Sequence, residues 1–285
     1  MTTGTLIAMV DGSAYSESVC HHAAWIAKRT GAKVKLYHVI GRREGVEQGD
    51  LSGSIRLGAR TKLLEELSAL DAQRAKLAQA QGRAILEDAK ALIEGDGVAE
   101  VETRLRQGDI VETITAKEDT ADMLVVGKRG EAADFAKLHL GSNLERIVRS
   151  SRKPVFVANR AFREIGKVMI AFDGGMSSMK AVDYVARDPL FAGLKVLLVT
   201  VGSETETLKK AMRDAQATLS AGGHTVDARV VTGQPEKVLG DLTEAEGIDL
   251  LVMGAYGHSR VRSMIIGSTT SEMIRTCRVP IVLMR

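Results

Sequence analysis

The sequence predicts an α/β protein made of two tandem open-sheet (βα)-repeat domains, each a mostly parallel five-stranded sheet with helices on both faces. Three observations lead there. The chain contains an internal repeat, each copy alternates short apolar runs with helical patterns, and those runs are too continuously apolar to have a solvated side. In the repeat, "TLIAMVDGSAYSESV" (Thr5 to Val19) returns as "KVMIAFDGGMSSMKAV" (Lys167 to Val182), with Asp11 matching Asp173 at a shift of 162 positions. "KVKLYHV" returns as "KVLLVTV" at the same shift. "ADMLVVGKRG" then pairs with "IDLLVMGAYG", and "SRKPVFVANR" with "CRVPIVLMR", at a shift of 127. Four blocks in one order give two domains, 1–160 and 164–285.

In the second copy the spacing predicts strands over Lys167 to Phe172, Lys195 to Val201, Thr225 to Val231, Leu250 to Met253 and Ile281 to Met284. Helices are expected between them, over Ser177 to Arg187, Glu204 to Ala221, Pro235 to Glu246 and Thr269 to Thr276. The fall in shift leaves the first copy roughly 35 residues longer, in a segment at about 41–93. Gly41 to Gly58 is Gly-rich and polar and reads as a mobile loop. Ala59 to Ile93 sets Leu63, Leu67, Leu70, Leu77, Ile85, Ala89 and Leu92 near one helical face, expected to pack on its own domain with a weak point at Gly82. A short coiled-coil arm is the alternative.

Composition excludes several functions. A net charge of +3, spread along 285 residues, offers no basic stripe for nucleic acid. Apolar runs such as Met123 to Val126 end far short of the roughly 20 residues a membrane span needs. The first residues, Met1-Thr2-Thr3-Gly4, lack the basic and hydrophobic parts of a secretion signal, so a cytoplasmic protein is expected. Cys20 and Cys277 are too few and too far apart for a disulfide framework and are expected to be buried free thiols. His21 and His22, consecutive on a helix, point about 100° apart and are expected to be exposed or half-buried, not metal ligands.

The informative stretch is "GAYGHSRVRSMIIGSTTSEMI". Gly254 and Gly257 follow the fourth strand of the second copy, and Gly267-Ser268-Thr269 opens the next helix. Glycines let backbone N–H groups approach an anion, and a helix N-terminus favours phosphate. Ser268, Thr269 and Thr270 add hydroxyls, Arg260 and Arg262 charge, and Asp173 at the first strand's tip could accept from a base or a ribose hydroxyl. The plainer alternative is that Thr269 to Glu272, like Ser142 to Glu145, is a capping box that starts a helix.

The spacing of glycine, two residues, glycine, nine residues, glycine and serine resembles the nucleotide-binding signature of the universal stress protein family. "VDGS", "YHVI" and "RVPIVLMR" fit the same family, and the resemblance covers both halves. It implies an adenine nucleotide alpha hydrolase-like fold and an ATP or AMP site, possibly with magnesium. Carried over to this sequence, it implies contacts at Ala171, Asp173, Val201, Met253, Gly254, Gly257, Gly267, Ser268 and Thr269. The matching set in the first copy is Asp11, Val39, Gly127, Gly130, Gly141 and Ser142. The family's last strand mediates pairing, so Val155 to Ala158 and Ile281 to Met284 are expected to join the copies as an internal pseudo-dimer, with a homodimer also possible.

The copies depart from the pattern differently. Ten residues, not nine, separate Gly130 from Gly141, and Glu131 and Asp134 put carboxylates where polyphosphate would lie. In the second copy Gly175 replaces a small polar residue and "VTV" the family's His-Val ending. Nucleotide is therefore expected in the second domain ahead of the first. No nucleophile with a supporting base stands out, and there is no P-loop. The expected function is a stress-response regulatory protein that binds adenine nucleotide and an unidentified protein partner. The alternatives are a protein or lipid interaction module with vestigial pockets, or a slow ATPase.

Overall fold

The computed structural model describes residues 4–41, 57–130, 142–255 and 267–285. The apolar runs form strands β1 (Thr5–Met9), β2 (Lys33–Ile40), β3 (Val101–Gln107), β4 (Met123–Gly127) and β5 (Val155–Ala158) in the first half. The second half repeats them as β6 (Lys167–Ala171), β7 (Lys195–Val201), β8 (Val226–Val231), β9 (Leu250–Gly254) and β10 (Ile281–Met284). The helices are α1 (Ser16–Thr30), α2 (Leu57–Gly95), α3 (Ile110–Thr115), α4 (Ser142–Ser150), α5 (Met176–Arg187), α6 (Glu206–Ala221), α7 (Pro235–Ala245) and α8 (Ser268–Thr276).

Each half is a five-stranded parallel unit, and the two join into one sheet of ten strands, ordered β3-β2-β1-β4-β5-β10-β9-β6-β7-β8. The junction is antiparallel, with Ile281 opposite Val157, Val282 opposite Phe156 and Leu283 opposite Val155. The two last strands thus pair within the chain, as the sequence suggests. Alternate residues of each strand enter different cores. Leu6, Ala8, Val34 and Leu36 pack with residues of α1, α2, α5 and α6. Ile7, Met9, Tyr37 and Leu124 pack with residues of α3, α4, α7 and α8 on the other face. An acidic residue pins the start of each half: Asp122 Oδ2 accepts from the Thr5 amide at 2.8 Å, and Asp249 Oδ2 from the Gly166 and Lys167 amides at 2.9 Å.

Four expectations need correction. The strands are not all buried on both sides, because β3 and β8 are edges, where Glu102, Arg104, Asp227 and Arg229 form ion pairs at the rim. α2 runs through Gly82 without a break. Gly82 is buried, and a Cβ there would lie 2.7 Å from Leu105 Cδ1 and 2.8 Å from His38 Cδ2, so the glycine serves close approach. The buried face of α2 is Leu86, Ala89 and Ile93, while Leu67, Leu70, Leu77 and Leu92 are exposed. Finally, His22 is fully buried, its ring 5.1 Å from that of Phe156 and 5.0 Å from that of Phe162.

Elsewhere the differences are one or two residues at helix and strand ends. α6 starts at Glu206 because the Thr205 hydroxyl accepts from the Leu208 amide and caps it. The Thr269 to Glu272 capping box does not form, since Gly267 is the N-cap and Glu272 pairs instead with Arg275. Both cysteines are buried free thiols. Most of the segment read as a loop, 42–56, lies outside the described residues.

Candidate functional site

Each half reverses its winding at one place. β6 lies between β7 and β9, and β1 between β2 and β4. In open parallel sheets the crevice beyond the carboxyl ends of such strands is where ligands bind. Ala171 pairs with Val199 on β7 and Met253 on β9, and the same register two residues on sets Asp173 beside Val201. Gly254 ends the strand on the other side. Five of the expected residues, Ala171, Asp173, Val201, Met253 and Gly254, therefore stand at three adjacent strand ends. Asp11, Val39 and Gly127 hold the matching places in the first half.

The strand-end aspartate is held by a turn that both copies build alike. Gly12 and Gly174 have φ of 79° and 76°, a left-handed conformation that suits glycine. Asp173 Oδ1 accepts from the Gly175 amide at 2.8 Å and from the Ser178 hydroxyl at 2.6 Å. Asp11 Oδ1 accepts from the Ser13 amide at 3.0 Å and from the Ser16 hydroxyl at 3.1 Å. Ser16 and Ser178 orient the carboxylates, and reading the motif as Asp-Gly alone misses them. The sequence signal for them is a serine five residues after the aspartate in both copies.

Gly254 lets the crevice wall close on the first helix of its half. A Cβ there would lie 2.8 Å from Ser177 Cβ and 3.2 Å from the Ser178 nitrogen. At Gly127 the matching neighbour is Tyr15 Cβ at 3.0 Å. Beyond Gly254 the Ala255 amide donates to the Met284 carbonyl, and the Gly267 amide donates to the Ala255 carbonyl at 3.2 Å. The Thr270 hydroxyl donates to the Gly254 carbonyl, also at 3.2 Å. These bonds bring the start of α8 against the end of β9, so Gly267, Ser268 and Thr269 meet the strand-end set. The Gly267 N-cap makes no side-chain cap, which leaves the first turn of α8 suited to an anion.

The two crevices differ in how much covers them. In the first half Ile85 of α2 presses on the strand-end turn, its Cδ1 2.8 Å from where a Gly12 Cβ would stand. The residue in the same place over Gly174 is Ala211, with its Cβ 3.9 Å away. Gly130 stands close enough to Asp11 that a Cβ there would lie 2.8 Å from Asp11 Oδ2. Lys128, where the second copy has Ala255, sends its Nζ to the Cys277 carbonyl at 2.8 Å, and burial pushes its ammonium down to about 8. Gly141, Gly257, His258, Arg260 and Arg262 lie outside the described residues, as does the side chain of Ser142. Among the described residues, no group of three or more His, Cys, Asp or Glu could hold a metal ion, and no helix is long and apolar enough to cross a membrane.

The arrangement, a duplicated sheet with a strand-end aspartate, a strand-end glycine and a glycine-capped helix, has close counterparts. A family model described as the universal stress protein family matches residues 3–159 and again 164–285. The chain belongs to the universal stress protein family. It is 34% identical to the universal stress protein Slr1230 of Synechocystis sp., over 98% of this chain and 99% of that protein. A universal stress protein of Mycolicibacterium smegmatis is 25% identical over 97% and 95% of the two chains. The fold of a universal stress protein from Archaeoglobus fulgidus superposes with a TM-score of 0.74 at 19% identity, covering 100% of this chain and 99% of that one. This universal stress protein is thus a tandem, two-unit member along its whole length.

Proposed function

We propose that this universal stress protein, with domains at 1–160 and 164–285, binds an adenine nucleotide, ATP or AMP, at the β6/β9 crevice. Binding there alters a surface that a protein partner reads, so the chain acts as a regulatory binding protein and not as a catalyst. The observation that carries the reading is the convergence of Asp173, Val201, Gly254 and the glycine-capped start of α8 at one switch point. Asp173, held by Ser178 and the Gly175 amide, accepts from the base or ribose, and the first turn of α8 takes phosphate. Magnesium, in this reading, arrives with the phosphates. The first crevice, pressed by Ile85, binds more weakly or not at all.

Two assays test this together: mass spectrometry of small molecules released from purified, denatured protein, and calorimetric titration with ATP and magnesium. Adenine nucleotide near one per chain supports the reading, and two per chain brings in the first crevice. No nucleotide in either assay overturns it. Partner regulation requires that the partner bind the nucleotide-loaded and empty forms with different affinities.

A further inference from the structure

The two ends of α8 are held by different halves of the protein. Its first turn, from Gly267 to Thr269, stands at the second crevice against the end of β9. Its far end is gripped from across the junction. Lys128 Nζ donates to the carbonyl of Cys277, the residue that caps the helix, and Asn159 Nδ2 donates to the Arg278 carbonyl, both at 2.8 Å. Lys128 directly follows β4 and Asn159 directly follows β5, so both donors come from strand ends of the first half.

The grip is not mirrored in the other direction. Ala255 takes the place of Lys128 in the second half and has no side-chain donor. Arg285 takes the place of Asn159, and its Nη1 reaches the Arg149 and Ser151 carbonyls at the end of α4 at 3.3 and 3.5 Å. Those bonds are longer and weaker than the pair on α8. The helix fixed more firmly from across the junction is therefore α8, which serves the crevice where nucleotide is proposed to bind.

A hold at the far end of α8 reaches the crevice because the helix is short and packed. Nine residues, Ser268–Thr276, span about 13 Å at the α-helical rise. Met273 and Ile274 are fully buried between the two ends. Close-packed interiors transmit a displacement instead of absorbing it, so a shift at Cys277 moves the N–H groups of the first turn as well. Charge acts in the same direction. The Lys128 ammonium lies at the negative end of the α8 dipole, and phosphate would lie at the positive end.

We propose that Lys128 is a positioning residue of the second crevice, holding α8 from the first half so that the first turn of the helix meets the phosphate of the nucleotide. This inference rests on the nucleotide reading above. Lys128 acts through α8 on the phosphate and leaves the base and ribose contacts alone, since Asp173 and Val201 stand at the ends of β6 and β7.

The test is calorimetric titration of the full chain with AMP and with adenosine, which lacks the phosphate. Lys128→Met keeps the unbranched stem and removes the donor. Its dissociation constant for AMP should rise at least about threefold, a part of what a hydrogen bond from a charged group contributes, while that for adenosine stays within about twofold of the parent. Lys128→Arg retains a charged donor and should recover AMP binding. Hydrogen exchange of the empty proteins gives a second readout, with protection lost in Lys128→Met over 268–277 and kept in the strands. AMP binding unchanged in Lys128→Met overturns the inference, as does an equal loss for AMP and adenosine. A loss in Lys128→Arg as large as in Lys128→Met shows that the charged donor is not what matters, and overturns it too. Exchange that is unchanged, or faster throughout the sheet, has the same consequence. A parent that binds neither compound overturns the nucleotide reading and this inference with it, whereas a parent that binds AMP leaves that reading standing whichever way Lys128 falls.

Discussion

Lys128 Nζ donates to the Cys277 carbonyl at 2.8 Å, tying the strand-end loop of the first half to the end of α8 in the second. Burial lowers its ammonium from 10.5 to about 8, with the positive Arg129 adding to the effect and Cys277 opposing it. The sign follows from linkage. Below about 8 the lysine is charged in both folded and unfolded chains, and folding carries the whole cost of burying the ammonium. Between about 8 and 10.5 the unfolded chain still holds the proton and the folded one has released it, so stability gains as pH rises. Urea midpoints for the parent and Lys128→Met across this window should therefore diverge in the parent's favour with rising pH. A constant difference would show that the amine is not desolvated as its position requires.

His22 works in the same sense at lower pH. Burial lowers it from 6.5 to about 4, the Ser18 backbone bond partly opposing that shift. Its Nδ1 lies 2.7 Å from the Ser18 carbonyl, to which the neutral ring donates, while Nε2 has no hydrogen-bond partner among the described residues. Protonation would place a charge between Phe156 and Phe162. As pH falls from 6.5 to about 4 the unfolded chain takes up a proton that the native one refuses, and stability drops. His22→Leu should cost about 0.5–1.5 kcal/mol at neutral pH for the lost hydrogen bond. The gap should close as pH falls, and thermal melts showing it widen would contradict the neutral assignment.

Much of this architecture is legible in the residue pattern because the strands are continuous apolar runs between glycine punctuation. The pairing of Val155–Ala158 with Ile281–Met284 is visible for the same reason, both being short apolar ends of matching blocks. The register of α2 is less legible. Leu67, Leu70 and Leu77 look as much like core as Leu86 and Ile93 do, and periodicity does not say which apolar face meets a sheet. Gly82 reads as a breaker because its actual role, contact with His38 and Leu105, arises from residues distant in sequence. At the site, Asp173 and Gly254 are legible from the repeat, whereas Ile85 and Ala211 stand over the strand-end turns on helices whose register only the fold defines.

Gly254 is predicted to be the less replaceable of the two strand-end glycines. An alanine Cβ would meet Ser177 Cβ at 2.8 Å and the Ser178 nitrogen at 3.2 Å, forcing α5 away from β9. The shift would reach Asp173 through Ser178. Gly254→Ala should cost on the order of 1–3 kcal/mol in stability, as overpacking does, and weaken nucleotide binding. Gly127→Ala, with Tyr15 Cβ at 3.0 Å, should destabilise less and leave the nucleotide stoichiometry unchanged. Melting curves and calorimetry on both variants decide this, and equal loss of nucleotide in the two would place the ligand outside the second crevice.

The contrast between Ile85 and Ala211 makes the last prediction, which concerns why two similar crevices should differ in occupancy. Both residues stand over the strand-end glycine of their half, but the isoleucine reaches to 2.8 Å of a Gly12 Cβ position while the alanine stays 3.9 Å from that of Gly174. Ala211 is only half-buried, so a larger side chain there can grow toward the crevice without displacing core. Ala211→Ile should therefore keep the melting temperature nearly unchanged and weaken nucleotide binding at least about tenfold, or ~1.4 kcal/mol. Ile85→Ala is the converse change. It removes a partly buried side chain, which costs about 1–3 kcal/mol at such a position, and uncovers the turn at Asp11. If cover alone separates the two crevices, calorimetry of Ile85→Ala should show a second, weaker nucleotide per chain. If the stoichiometry stays at one, the difference lies at the strand end itself, where Gly130 leaves no room for a Cβ beside the Asp11 carboxylate.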